Sequence, residues 1–267
     1  MNVNIKNIRI GKGNPPRVMG VLNISPESFF SDSFVPCNQL VTRVREMQNE
    51  GADIIDLGAR STALTAPRIS VEEEKTRVIT ALRELEGSGA VFSLDTMYPE
   101  VLEAALHYDI SAINDISGLS NEHYARIAAD SGLPVIGMTT HKIPGDPTTI
   151  SSTHEALKKI ISRAESYGID QLILDPGIGK WVAERSSEAD WELCRRFSEL
   201  KVYGFPLLAA VSRKTFIGEC LNKPPQDRLY GSLGVLYGLL LGGADIARVH
   251  DVAASKDIIT VFQKMHP

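Results

Sequence analysis

Eight times along the chain, a short apolar run rich in β-branched residues gives way to a longer stretch of helical spacing. The pairs read strand 17–22 with helix 38–50, 53–58 with 71–86, 91–94 with 99–107, and 111–113 with 121–130. The series continues with 134–138 and 153–167, 171–174 and 187–200, 206–211 and 226–241, and 245–249 and 253–265. Continuous apolar runs are what parallel strands covered on both faces by helices require. Eight such units make one α/β domain of about 250 residues, a (β/α)8 TIM barrel. The chain has 267 residues, so this reading leaves 1–16 as a short N-terminal extension. A doubly wound open sheet is the alternative. Gly-x-Asp before a strand recurs at Gly51, Gly168 and Gly243, a repeated turn in which glycine ends a helix in the left-handed conformation.

Composition narrows the partners. Hydrophobic residues are 43% and charged residues 23%, ordinary globular values that exclude a disordered or collagen-like chain. A net charge of −5 argues against a broad nucleic-acid-binding face. Cys37, Cys194 and Cys220 are widely spaced and odd in number, so neither a disulfide framework nor a Cys-x-x-Cys metal site follows. The N-terminus lacks a secretory apolar region. The most apolar stretch, 234–244, is shorter than the ~18 residues of a membrane span. A cytoplasmic protein without membrane contact is expected.

The residues at the strand ends carry the chemistry. They are Asn23, Asp56, Asp95, Asn114, Met138 with Thr139, Asp175, Ser212 with Arg213 and Lys214, and Arg248 with His250 and Asp251. Helix capping accounts for some of the Asp, Asn and Ser. It does not account for Lys and Arg, which suit helix C-termini better. In a barrel these ends meet at the face where active sites sit. Such a ring could hold a flat hydrogen-bonding heterocycle plus a phosphate group. Asp175 and Asp95 can accept parallel N–H bonds from a guanidine-like edge, Asn114 can donate and accept, and Lys214 can donate to a carbonyl. Arg248 and His250 are two apart and point the same way, and Arg suits phosphate oxygens. Long loops follow the first two strands, at 25–36 and 60–70, and a third spans 139–152.

Other features are bland. His107, His123, His154 and His266 lack metal-ligand spacing, while His141 sits in the fifth loop and could approach the site. The run Glu72-Glu73-Glu74 reads as a solvated helix N-terminus.

Eight motifs follow one another in order: Met19-Gly-Val-Leu-Asn-Ile-Ser-Pro-Glu-Ser-Phe29, Gly51-Ala-Asp-Ile-Ile-Asp-Leu-Gly58 with Ser61-Thr62, Ser93-Leu-Asp-Thr96, Ile113-Asn-Asp-Ile-Ser-Gly118, Leu174-Asp-Pro-Gly-Ile-Gly179, Ser212-Arg-Lys-Thr-Phe-Ile-Gly218, Gly231-Ser-Leu233 and Arg248-Val-His-Asp-Val252. Together they resemble those of the dihydropteroate synthases, pterin-binding barrels of folate biosynthesis. The resemblance implies condensation of 6-hydroxymethyl-7,8-dihydropterin diphosphate with an arylamine, 4-aminobenzoate, and release of diphosphate. It implies a pterin pocket of Asp95, Asn114, Asp175, Lys214 and Arg248. It places Asn23, Arg248 and His250 at a diphosphate and Mg2+ site, with Asn23 as the metal's protein ligand. Asn23, Asp95, Lys214, Arg248 and His250 form the implied catalytic set, with Asp56 and Thr62 in support. Ser212 and Arg213 resemble the acceptor carboxylate's seat. Homodimers through barrel helices are common in the family, and Gly231, Gly234, Gly238, Gly242 and Gly243 would allow close helix approach.

Three departures fall near the amine side. Where the family reads Gly-Gly-Glu-Ser-Thr-Arg-Pro, this chain has Gly58-Ala59-Arg60-Ser61-Thr62-Ala63-Leu64. Lys180-Trp181 replaces Phe-Gly-Lys, and the first loop has an extra residue in 28–32. Added positive charge at Arg60 and Lys180 would suit a phosphorylated acceptor such as the ribofuranosyl-aminobenzene phosphate of methanopterin synthesis. Loop drift with ordinary 4-aminobenzoate use is the other reading, with Trp181 standing in for the aromatic. A methyltetrahydrofolate–corrinoid methyltransferase and a non-catalytic pterin-binding paralogue are the rivals; Asn23, Lys214 and the Arg248–His250 pair argue against both.

Overall fold

The computed structural model describes residues 1–27, 34–61 and 66–267. Thr62, Ala63, Leu64 and the departing stretch 28–32 of the first loop lie outside the described residues. The chain opens with an antiparallel hairpin, β1 (Asn2–Ile5) and β2 (Ile8–Gly11). Then follow β3 (Arg17–Asn23), α1 (Leu40–Asn49), β4 (Ile54–Gly58), α2 (Val71–Glu84), β5 (Phe92–Asp95), α3 (Pro99–Ala105), β6 (Ile110–Asp115) and α4 (Glu122–Ser131). The second half runs β7 (Val135–Met138), α5 (Ile150–Tyr167), β8 (Leu172–Asp175), α6 (Ser187–Arg195), β9 (Leu208–Ala209), α7 (Thr215–Leu221), α8 (Leu229–Leu241), β10 (Ile246–Val249) and α9 (Val252–Met265).

The eight longer-range strands form one parallel sheet in the order β8-β7-β6-β5-β4-β3-β10-β9. A bridge between Leu174 and Leu207 brings its two edges together, with Leu174 N donating to Pro206 O at 2.9 Å. This is the expected (β/α)8 barrel, and the open-sheet alternative fails. Side chains alternate across each strand, which sorts the barrel interior into tiers. Met19, Ile54, Ala112, Ile136, Ile173, Leu208 and Ile246 form a buried apolar tier. Two residues further on stand Val21, Asp56, Asn114, Met138, Asp175, Ala210 and Arg248. The hairpin supplies Val3, Ile5 and Ile10, fully buried in the same cluster as the apolar tier. It closes the strand N-terminal end.

Several boundaries move for local reasons. Thr149 accepts from the Ser152 amide at 3.2 Å, so α5 starts earlier than expected, at a capped N-terminus. The strand expected over 206–211 shrinks to Leu208–Ala209; Pro206 has no amide to donate. The helix expected over 187–200 ends at Arg195 and continues as a 3-10 turn, Phe197–Tyr203. Before the helix expected over 226–241, a separate short helix, α7, follows the Ser212–Lys214 turn. No helix is long and apolar enough to cross a membrane among the described residues.

Candidate active site

At the strand C-terminal ends a pocket is lined by Asn23, Gly58, Arg60, Ser61, Asp95, Asn114, Ile116, Met138, Asp175, Trp181, Ser212, Lys214, Arg248 and His250, with Val21 and Ala210 below. Every residue expected for the pterin side is present. The period-two alternation delivers them: Asp175 stands two beyond Ile173, Asn114 two beyond Ala112, and Arg248 two beyond Ile246.

The floor is a charge network. Arg248 donates through Nε to Asp56 Oδ2 and through Nη2 to Asp95 Oδ2, both at 2.6 Å. Asp56 is fully buried and also accepts from Asn114 Nδ2 at 3.0 Å. That contact fixes the amide of Asn114. Asp175 accepts from the Gly177 amide at 2.8 Å. Burial pushes the Asp95 carboxyl up to about 7; Arg248 pulls it back, while Asp56, Glu74 and Asp175 push further up. Burial also raises Asp175, against the opposing pull of the Gly177 amide and Lys214. Lys214 is lowered to about 8, first by burial and then by Arg248. Its ammonium stands 5.0 Å from the centre of the Trp181 ring, within reach of a cation–π attraction.

The upper edge holds Asn23, Ser212 and His250. Asn23 Oδ1 accepts from the Ser25 amide at 3.0 Å. His250 Nδ1 lies 3.1 Å from Ser212 Oγ. Burial, reinforced by Arg248, lowers His250 to about 3.

Three acceptor-side expectations change. Arg213 is turned out of the pocket. It forms a two-pronged pair with Asp251, at 2.9 Å through Nε and 2.6 Å through Nη2, and donates to the carbonyls of Pro225 and Gln226. Its φ of +57° is what swings the side chain away from its neighbours Ser212 and Lys214. Lys180 is exposed and does not line the pocket. Arg60 does line it, but its guanidinium is tied down. Nε pairs with Glu74, Nη1 donates to Ile69 O at 2.8 Å and Nη2 to Ser70 O at 3.1 Å. Its Cζ sits 4.7 Å from the centre of the Tyr98 ring.

Glu74 is therefore no solvated residue. It is 1% exposed and also accepts from Thr96 Oγ1 at 2.6 Å. The signal was present in the sequence, since Glu74 follows Val71 by three and precedes Val78 by four, on the buried face of α2. His141 stays outside the pocket lining, bonded to Ser152 at 3.0 Å and Lys159 at 3.0 Å.

The sequence model of the pterin-binding enzymes matches residues 19–250. A dihydropteroate synthase of Escherichia coli strain K12 is 36% identical over 261 residues, 93% of this chain and 91% of that protein. Among solved structures, a dihydropteroate synthase from Coxiella burnetii in complex with pteroic acid superposes with a TM-score of 0.88 at 29% identity, covering 99% of this chain and 98% of the other. One from Xanthomonas albilineans with 4-aminobenzoic acid gives 0.86 at 32% identity, covering 99% and 97%.

Proposed function

The chain belongs to the pterin-binding enzyme family and is a transferase of the dihydropteroate synthase type, and from that premise we propose how its residues share the work. The reaction joins 6-hydroxymethyl-7,8-dihydropterin diphosphate to 4-aminobenzoate, releases diphosphate and serves folate biosynthesis. The observation that carries the assignment of roles is the convergence of Asp95, Asn114, Asp175, Lys214 and Arg248 on one pocket floor.

Asp175 takes the 2-amino and N3–H edge of the pterin, because one of its oxygens is already oriented by Gly177. Lys214 donates to the ring's oxygen and nitrogen acceptors. Asn114, held by Asp56, lines the ring's side. Arg248 leaves part of its carboxylate contact to face the pterin and the diphosphate. The bond from the pterin methylene to the diphosphate oxygen breaks, and its electron pair leaves with diphosphate. Asp95 and Asp175 stabilise the positive charge that spreads into the ring. The amine nitrogen then bonds to the methylene, and its proton passes to the released diphosphate. Ser212, beside neutral His250, seats the acceptor carboxylate; Arg213 orients that turn through Asp251 rather than touching the acceptor.

The mouth also suits Mg2+. Among the described residues no cluster of His, Cys, Asp and Glu could hold a metal, and Asn23 offers a single side-chain oxygen. That fits an ion that prefers oxygen, keeps several waters and is carried chiefly by substrate phosphates. Bound there, it would neutralise charge on the diphosphate.

A second copy of the chain is the partner we infer. α8 is apolar around its whole circumference, with Tyr230 and Leu241 exposed on it and Val261 and Met265 exposed on α9. Among the described residues outside their own helix turn, nothing lies within 4 Å of the positions a side chain would occupy at Gly234 and Gly238. Those glycines support close approach of a second helix, whereas Gly231 and Gly242 already pack within the chain. Free Cys37, Cys194 and Cys220 support work in the reducing cytoplasm.

The test mixes protein, Mg2+, the dihydropterin diphosphate and 4-aminobenzoate, and reads diphosphate release and product mass. Dihydropteroate is expected, and Asp175→Asn should remove most of the rate. A preference for the phosphorylated ribosyl amine would overturn the acceptor. The tied guanidinium of Arg60 and the exposed Lys180 speak against that preference.

A further inference from the structure

Under the Trp181 side of the pocket lies a buried ion pair with no part in the roles above. Arg185 and Asp190 are 2% and 1% exposed. Arg185 sends Nε and Nη2 to one oxygen of Asp190, each at 2.8 Å, and donates through Nη1 to Pro147 O. The same Asp190 oxygen accepts from the Gly179 amide at 2.8 Å. The pair therefore ties the loop after β7 to the loop after β8.

Gly179 is where this reaches the site. Its φ is +124°, and a Cβ built on it would lie 3.1 Å from both Cδ and Nζ of Lys214. The Lys214 side chain thus lies directly on this backbone. Gly179 O also accepts from the Trp181 amide at 3.0 Å, and the Trp181 ring flanks the same ammonium. Two apolar residues could fill the same volume without removing two charges from water, a substitution that is often neutral or stabilising. Packing alone does not call for an ion pair here.

We propose that Arg185 and Asp190 are positioning residues for Lys214: they fix the Gly179 backbone on which its chain lies, and together they add no net charge beside its ammonium. The proposal rests on the reading that Lys214 serves the pterin. Among the described residues, the charged groups acting most on Lys214 are Arg248 from β10, Asp175 from β8, Asp190 from α6 and Arg185 just before α6. Asp190 and Arg185 act on it in opposite directions, Asp190 favouring the ammonium and Arg185 disfavouring it. His250, held neutral, contributes little, and Asp95 shares the pocket.

The test follows from those opposed signs. Protein labelled with 13C at lysine Cε is titrated by NMR, and the Lys214 resonance is identified by its loss in Lys214→Arg. Asp190→Asn keeps an acceptor for Gly179 but leaves Arg185 uncompensated, so the Lys214 titration moves down. Arg185→Met leaves Asp190 uncompensated, so it moves up. Each shift is expected at about half a pH unit, roughly threefold in proton affinity. The doubly neutral D190N/R185M returns near the unsubstituted value and leaves no lone buried charge, which guards against failure to fold. Arg185→Gln replaces Arg185→Met if that protein does not fold, and must move the titration the same way. Shifts of one sign in both single variants, or none in folded protein, overturn the proposal. No substrate enters this measurement. A Lys214 that titrates as stated while the alkaline limb of kcat/KM stays put would instead overturn the role given to Lys214.

Discussion

Arg248 and Arg60 both face the pocket and both meet a buried carboxylate, yet they do opposite jobs. Arg248 binds two side-chain carboxylates, Asp56 and Asp95, on the neighbouring strands β4 and β5. Arg60 binds one carboxylate, Glu74, and two backbone carbonyls of its own loop. A carboxylate can trade a guanidinium for a ligand's N–H groups, because its charge suits either. Backbone carbonyls held by a loop offer no such exchange without unmaking the loop. On the proposed roles, the first arginine is a ligand in waiting and the second is a fastener. Charge at a pocket wall says little about recognition until its partners are counted.

The comparison is broken most directly by deleting each arginine. Arg248→Met should lower kcat/KM for the dihydropterin diphosphate by about 10³-fold, the scale of losing a group aimed at developing charge. Steady-state kinetics on folded protein checks it. Arg60→Met should act on stability instead. Glu74 would be left buried and unpaired, a change that costs about 3–5 kcal/mol, read as a fall in urea midpoint. Its kcat/KM should fall less than Arg248→Met's; an equal or greater fall would make both arginines ligands.

The pH profile sharpens the contrast. Asp95 stands near 7 and Lys214 near 8 in the unliganded protein. As pH rises through 7, Asp95 ionises and gains the charge a pterin N–H edge prefers. As pH rises through 8, Lys214 loses its ammonium. The pair thus bounds a narrow optimum for pterin binding, with apparent values shared between coupled groups. Binding near pH 6.5 should release protons, because the ligand draws Asp95 toward its ionised form. Calorimetry in two buffers of different ionisation enthalpy measures this; proton uptake would contradict it. The smallest effect belongs to Lys180→Ala. An exposed side chain outside the lining should change stability by no more than about 0.5 kcal/mol, and affinity for 4-aminobenzoate should hold.

The barrel was legible because eight apolar runs alternate with helical stretches, and the floor because polar residues follow those runs in step. Asp175 and Arg248 could be placed on strand ends from spacing alone. What spacing could not convey is where a long side chain turns. Ser212, Arg213 and Lys214 are consecutive and equally polar, yet the left-handed backbone at Arg213 sends it to Asp251 while its neighbours enter the pocket. Arg60 and Glu74 read as a charged loop and a solvated helix end, since their pairing spans fourteen positions. Asp190 was hidden similarly: it lies three before buried Leu193, so its helix face was readable, but its partner was not. The N-terminal hairpin escaped notice because eight residues of strand separated by a tight turn resemble any short polar-apolar lead.

That hairpin has a kinetic corollary. With Val3, Ile5 and Ile10 packed against the apolar tier that fills the barrel, the pocket opens toward the strand C-terminal ends. Entry from that end imposes a queue. On the roles proposed above, the pterin, whose partners lie lowest, is seated before the amine arrives above it. Diphosphate then departs from the mouth while the joined product still occupies the depth. On the same proposal, an amine-like molecule lodged at the mouth would detain whatever lies beneath.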